Sequence, residues 1–511
     1  MTDCREQLTF DFHPRKAVVA DFDGGLISSD AGLLPIRQLD HRLGWTAAVA
    51  DILDDARQAG KVEHDLLAVV RQRLYGLIAG YKDANDHTRL RHDAILQTVS
   101  ADEAKPLGSQ PTLSRFENAV TARQVARINR LLVKMFIQRM GRKKPRRLIL
   151  DIDPTDDPCH GHQQLALFNG FYGQYMYLPN LLFERTTGML LGVRLRGGNT
   201  DAAHRVVQLL KPIVAALRKA WPDVEFLIRA DAGFATPLLY HFCEDNDLEY
   251  LIGFVASEPL KQRTKWAMDW LTQRLERDAE PCKWRGGFTH QAGSWDHPRR
   301  ILYKVEVNEQ GTNRRFVVTN CKGTPRELWP VYDDRGTAET FIDEFKNGLS
   351  MDRLSCRRFV SNAFRLVLTA VAYNLMRAYR DMLTGTELET ASVETIRSRL
   401  IKIGARVRRT VRRVWVHLAG GFPLRETLAK AHRAILRLHR RRLRADSPLK
   451  TIRLTSIAPN QSAPKRTFRP PLPRSGLRFS RSARGGSPDH AFRALRRPNP
   501  AQILPLTPLH E

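Results

Sequence analysis

The run L-I-L-D-I-D, residues 148–153, limits the fold more than any other stretch of this chain. It is apolar almost without interruption and ends in acid, so it reads as a strand covered on both faces rather than a half-solvated one. A second run of the same kind, E-F-L-I-R-A-D, ends at Asp231. Between them, alternating segments around Tyr175 to Phe183 and Met189 to Leu195 read as two strands joined by a turn at Thr187-Gly188, and Ala203 to Ala220 reads as a helix. Leu238 to Cys243 begins another helix and Tyr250 to Phe254 is a strand. Three strands, helix, strand, helix, strand describes an α/β layer with an antiparallel start. Successive side chains alternate between faces, so Asp151 and Asp153 share one. Ligand sites in α/β sheets lie beyond the carboxyl ends of strands, which is where Asp153 and Asp231 fall.

A third acid lies far downstream, in Y-D-D-R-G-T-A-E-T-F-I-D-E-F-K, residues 332–346. If this stretch is one helix, Tyr332, Arg335, Glu339 and Lys346 fall on a single face. Phe341, Ile342 and Phe345 give that helix an apolar side, and Gly348 is its expected stop. Taken alone, Arg335 and Glu339 could be an ordinary surface pair one helical turn apart.

The chain carries 82 Lys+Arg against 54 Asp+Glu, a formal charge of +28. That excess favours a polyanionic partner, most simply nucleic acid. Arginine-rich stretches occur around Arg142–Arg147 and Arg353–Arg358 as well as near the C-terminus. Six cysteines are scattered with no C-x-x-C pair, which predicts reduced thiols and an intracellular protein rather than a zinc framework. The N-terminus shows no signal-peptide pattern. The best apolar run, near Leu366 to Met376, is short for a membrane span, so no membrane association is expected.

These textures divide the chain. Residues 1–145 read as a helical N-terminal region, with amphipathic spacing at Ala31–Leu43, Asp65–Ile78 and Ala122–Met140 and a further helix from Q-P-T-L-S-R-F-E-N. That last pair of helices resembles a helix-turn-helix, although the pattern alone fits a generic helical bundle somewhat better; the region is assigned to DNA binding. The α/β core occupies 146–255 and resumes at 326–382, where Asn362–Met382 is a long apolar core helix. A β-rich insertion, 256–325, interrupts it, with a helix at Trp266–Leu275 and a hairpin of Arg300–Val307 and Arg315–Thr319 turning at Gln310-Gly311. A basic helical region follows at 383–446. Pro, Ser, Arg and Gly dominate 447–511, which reads as a disordered basic tail.

Carboxylates from separate elements in so basic a chain suggest bound divalent cations. Mg²⁺ takes such oxygens and leaves positions for water and phosphate. Two ions about 3.5–4 Å apart can activate a nucleophile and stabilise a leaving oxygen. The same residues admit a rival: D-I-D-P-T matches the D-x-D-x-T motif of haloacid-dehalogenase-type phosphatases, with Asp151 as nucleophile and Asp153 as general acid. That motif explains nothing about the stretch from Tyr332 to Lys346.

With these residues in view, the chain resembles a DDE transposase of bacterial insertion sequences. The Y-(2)-R-(3)-E-(6)-K spacing is matched without a gap. The phrases F-D-G-G-L-I-S-S-D-A-G, Q-P-T-L-S-R-F-E-N, F-N-G-F-Y-G-Q-Y-M-Y-L-P and G-N-T-D-A-A look like the IS 1380 group, and the resemblance spans roughly Phe10 to Arg444. It implies an RNase H-like catalytic core interrupted by the insertion. It implies Asp153, Asp231 and Glu339 as catalytic metal ligands for two Mg²⁺ (or Mn²⁺) ions, with Asp151 more structural. Tyr332, Arg335 and Lys346 would hold DNA phosphates. The implied activity is cut-and-paste transposition: hydrolysis at the terminal inverted repeats, then attack of the freed 3′-OH on target DNA. A dimer would pair the ends, and the protein would work in the bacterial cytoplasm at the nucleoid. Relatives with this signature pass through a DNA hairpin with a base flipped onto a tryptophan, for which Trp266, Trp270, Trp284 and Trp295 are candidates. A catalytically silent, transposase-derived DNA-binding protein is the remaining alternative.

Overall fold

The computed structural model describes residues 7–101, 105–278 and 280–438. The expected tail, 447–511, lies outside them. The centre is an eight-stranded mixed sheet. Its strands are β1 (Arg147–Pro154), β2 (Asn180–Glu184), β3 (Leu190–Arg194), β4 (Glu225–Ala230), β5 (Glu249–Phe254), β6 (Cys282–His290), β7 (Arg299–Asn308) and β8 (Gly311–Thr319), in the spatial order β6-β7-β8-β5-β4-β1-β2-β3. β1, β4 and β5 run parallel, and β2 and β3 return antiparallel on one side. The strand and helix order expected from the sequence between 146 and 255 is therefore present. What the alternation rule did not reveal is a separate three-stranded sheet inside it, built from Asp157–Pro158, Leu167–Asn169 and Gln174–Tyr177.

The two faces of the sheet bury different things. Leu148, Leu150, Ile152, Phe226 and Ile228 join the main core. On the opposite face Leu227, Leu251, Leu302 and Val317 form a smaller cluster closed by Leu328 and Trp329. Those last two belong to helix α1 (Pro325–Asp333), whose Thr324 cap and Glu327 make reciprocal backbone bonds at its start. Asp151, Asp153 and Arg229 lie on this second face, beside α1.

Helix α2 (Gly336–Leu349) follows α1, and α3 (Phe359–Asp381) runs through the middle of the molecule. α3 is long and apolar enough by composition to cross a membrane, but 83% of that window is buried inside the protein. It packs on the helices Leu66–Ala79 and Ala122–Met140 and on β3. Its Asn374 closes the sheet edge: the side-chain oxygen accepts from the Leu190 amide at 2.9 Å and the amide donates to the Leu190 carbonyl at 2.8 Å. Asn129 does the same for the Val193 amide, at 2.9 Å. Side-chain amides thus cover the backbone groups that an edge strand leaves open.

Several expectations are corrected. The N-terminal region is not helical throughout: Leu8–Phe10 pairs with Val18–Ala20, and Leu26–Ser28 pairs with Ala405–Arg409. Its helices Leu33–Leu43, Leu66–Ala79, Gln110–Ala119 and Ala122–Met140 appear where periodicity put them. The region after 383 is likewise not simply helical, since Ala405–Arg409 and Val414–Leu418 are strands ahead of the helix Arg425–Arg437. Alternating Arg and Val at 405–409 is a period-2 pattern that the arginine content concealed. The segment 256–325 does hold strands, but β8 pairs with β5, so they extend the main sheet. Gly348 does not stop α2, which ends when Ser350 turns left-handed at φ 53°. Gly348 is buried against Val393, where an added Cβ would come within 3.1 Å of the valine Cβ.

Candidate active site

The register of β1 and β4 builds the site. Arg229 lies opposite Asp151 and Ala230 opposite Ile152, which sets Asp153, near the end of β1 and still paired with Leu181 of β2, beside Asp231, the first residue past β4. One pair back, Asp151 is fully buried and held on both oxygens by Arg229, at 2.6 and 2.8 Å. Arg229 also donates to the Val331 carbonyl and, at 3.0 Å, to Asp334. Arg185 grips Asp334 at 2.6 and 2.7 Å. This network ties the end of α1 to the sheet.

It also explains why the expected single helix from Tyr332 to Lys346 is two. Asp334 and Arg335 form a tight turn in which the Arg335 amide bonds the Tyr332 carbonyl three residues back, at 3.0 Å. The 3.6-residue ladder is interrupted there, so Tyr332 sits on α1, Arg335 at the junction, and Glu339 and Lys346 on α2. The side chains at the break are drawn towards the sheet: Asp334 to two arginines, and Arg335 to Asp153 at 2.5 Å.

Asp153 is buried, and its second oxygen finds no hydrogen-bond partner among the described residues. Burial pushes its carboxyl up to about 7; Arg335 opposes the rise, and the carboxylates of Asp231 and Asp151 add to it. Asp231 accepts from the Gly233 amide at 2.9 Å, and burial raises its carboxyl too. Tyr332 is raised chiefly by burial, and the two aspartates act on it in the same direction. Its hydroxyl lies over Gly253, where an added Cβ would come within 2.7 Å of it.

Glu339 stands apart. Its side chain is 72% exposed and, among the described residues, reaches only the Arg335 guanidinium, at 3.9 Å. Among the described residues no group of three or more His, Cys, Asp or Glu side chains is gathered closely enough to hold a metal ion. Lys346 pairs with Asp156 at 2.8 Å. The structure therefore brings Asp153, Asp231, Tyr332 and Arg335 together, leaves Glu339 at the rim, and sets Lys346 against an acid in the same D-P-T-D-D run as Asp153.

Sequence reasoning passed over Arg196. It is buried, donates to the carbonyls of Thr200 (3.3 Å) and Asp201, and keeps Nε and Nη2 without a partner among the described residues. Burial lowers it to about 10, against the pull of Asp201 and Asp231. Its only signal was its place just before the G-G-N-T phrase. Of the tryptophans, Trp295 is not in an open loop but packs on Tyr240 and Phe254, and Trp284, on β6, takes the edges of Trp266 and Trp270.

A mixed sheet that carries one buried and one half-buried aspartate to adjacent strand ends, with arginines around them, defines a site for acid-dependent chemistry on an anion. The chain matches the model of the transposase DDE domain group 1 family over residues 10–440, and so belongs to that family of transposases. Enzymes of this class generally use divalent metal ions. Among solved structures it is similar to a piggyBac transposase synaptic complex with hairpin DNA, at 12% identity, covering 73% of this chain and 80% of that one. The TM-score is 0.37. No curated protein matches the chain.

Proposed function

We propose that this chain is a transposase of the IS 1380 group that binds the terminal inverted repeats of its element and moves it by phosphodiester hydrolysis and strand transfer. The observation that carries the reading is the placement of Asp153 and Asp231 at the carboxyl ends of neighbouring parallel strands, with the Arg335 guanidinium on Asp153. The sheet order supports an RNase H-like core, with β3-β2-β1-β4-β5 as its five strands and β6 to β8 as the insertion. The N-terminal helices, residues 1–145, are assigned to DNA binding and the core to 146–255 and 326–382.

Two neighbouring carboxylates, of which Asp231 raises the proton affinity of the buried Asp153, fit a divalent cation, and the Asp153 oxygen without a partner among the described residues is a ligand position. Asp153 and Asp231 would hold it, with Glu339 as the third ligand from the rim. Two Mg²⁺ ions there would supply Lewis acidity for activating water and neutralising charge on the phosphodiester. Arg335 lies between Asp153 and Glu339 and is the group that meets a DNA phosphate, with Tyr332 behind it. Lys346 adds a point charge beside Asp156. Asp151 cannot act as a phosphatase nucleophile while both its oxygens are held by Arg229, which disfavours that rival. The exposed position of Glu339 favours the second reading, a catalytically silent DNA-binding relative.

Cleavage of DNA carrying the repeats that flank this gene separates the readings. Wild type is compared with Glu339→Gln, in Mg²⁺ and in chelator. Cuts at the repeat edges that need Mg²⁺ and disappear in Glu339→Gln are expected. Repeat binding without cutting supports the silent binder, and neither binding nor cutting defeats both.

A further inference from the structure

The phrase F-N-G-F-Y-G-Q-Y has no role in the reading above, yet it builds a defined object next to the acids. Leu167–Asn169 and Gln174–Tyr177 pair with Phe168 opposite Tyr175 and Asn169 opposite Gln174. Asn169 holds the four-residue turn between them. Its side-chain oxygen accepts from the amides of Phe171 (3.0 Å) and Tyr172 (3.2 Å), and Gly173 closes the turn at φ 66°. The same side chain donates to the Gly198 carbonyl at 2.6 Å. Gly198 is where the hairpin lies flat on the second motif: an added Cβ would come within 2.3 Å of the carbonyls of Leu167 and Met176. The two phrases form one braced unit.

That unit displays aromatic rings to solvent. Phe171 is 90% exposed, and Phe168, Tyr172 and Tyr175 are between 42% and 60%. Phe171 and Tyr172 meet edge to face at 5.0 Å, and Phe168 and Tyr175 at 5.5 Å. A rigid turn that keeps four rings in water is costly to leave uncovered. Its position names the occupant. Its strand Gln174–Tyr177 pairs with Asp157–Pro158, at the end of the D-P-T-D-D run that begins at Asp153, so the hairpin is anchored beside the candidate active site, and the Tyr172 phenol feels the charges of Asp156 and Asp231. Lys346 is bonded to Asp156 on the same side.

We propose that the hairpin 168–175 is a stacking platform for an unpaired nucleobase of the DNA held at the acidic site. The proposal rests on the DNA-cleaving reading. Aromatic faces accept any base, so the platform recognises unpaired DNA rather than a sequence. Of the tryptophans of residues 256–325, Trp295 is buried, and Trp266 and Trp270 pack edge to face on Trp284.

The probe is a duplex of the flanking repeat carrying a fluorescent aminopurine in an unpaired overhang. A fully paired duplex of the same sequence is the control. Wild type is expected to quench the overhang. Phe171→Ala with Tyr172→Ala should lose the quench and weaken overhang binding roughly 5- to 100-fold, with paired-duplex binding changed by less than about twofold. Phe171→Tyr with Tyr172→Phe should restore both. An unchanged quench in the double alanine variant overturns the platform while wild-type cutting leaves the transposase reading standing. Altered sedimentation of the DNA-free variant with normal overhang binding overturns it in favour of a surface for a second copy of the chain. Wild type that neither binds nor cuts the repeat duplex removes the reading on which the platform rests.

Discussion

Asp151 and Asp153 are two residues apart on one strand and point to one face, but their partners separate them. Asp151 is locked into a buried bidentate pair. Asp153 shares its arginine with the rim and keeps one oxygen unpartnered among the described residues. Arg229→Leu strands the Asp151 charge and should cost about 3–5 kcal/mol of stability, read as a shifted urea midpoint. A shift below about 1 kcal/mol would mean that water reaches Asp151. Asp157 offers a cleaner titration. Burial, with Asp352 and Asp156 nearby, raises its carboxyl to about 8, and neither oxygen finds a hydrogen-bond partner among the described residues. The folded chain therefore binds a proton that the unfolded chain releases near the usual carboxylate value. This contribution to stability is complete below about pH 4 and declines as pH rises towards about 8. Asp157→Asn should flatten that decline, so its melting temperature gains on wild type as pH is raised over that window. Parallel curves would refute the burial argument.

At the scale of elements, α3 both fills the core and finishes the sheet. Asn374→Ala leaves the amide and carbonyl of Leu190 without partners in a buried place. The expected loss is about 2–5 kcal/mol, and hydrogen exchange at Leu190 should accelerate selectively. If exchange accelerates equally everywhere, the clamp is not local. Much at this scale was legible. The acid-ended runs located β1 and β4, and periodicity located the N-terminal helices to within a residue or two. The break between α1 and α2 was not legible, because Asp334 and Arg335 have helical dihedrals and the interruption comes from arginines 100 or more residues away in sequence. The partners of Arg335 and Lys346 were hidden for the same reason. Spacing along a helix says which side chains are neighbours on it, and nothing about what a distant strand offers them. Arg196 and the aromatic hairpin were visible only as phrases, since their meaning lies in how Gly198 lets them pack.

For the whole molecule the dominant quantity is charge. A net +28 over 511 residues makes association with DNA largely a matter of releasing counterions. Affinity for a repeat duplex should fall by roughly a thousandfold or more between about 50 and about 200 mM salt, if some six or more phosphates are engaged. A shallow dependence in fluorescence anisotropy would show that most of the basic residues lie away from the DNA.

The pairing of Leu26–Ser28 with Ala405–Arg409, reinforced by Lys402 on Asp30 at 2.7 Å, sets a timetable for synthesis. The earlier strand waits for a partner about 375 residues further along the chain. At elongation rates of about 5–20 residues per second, that wait is roughly 20–75 s. During this interval the exposed Leu26 and Ile27 edge is open to other nascent chains, and closure can follow only once Ala405–Arg409 has been made.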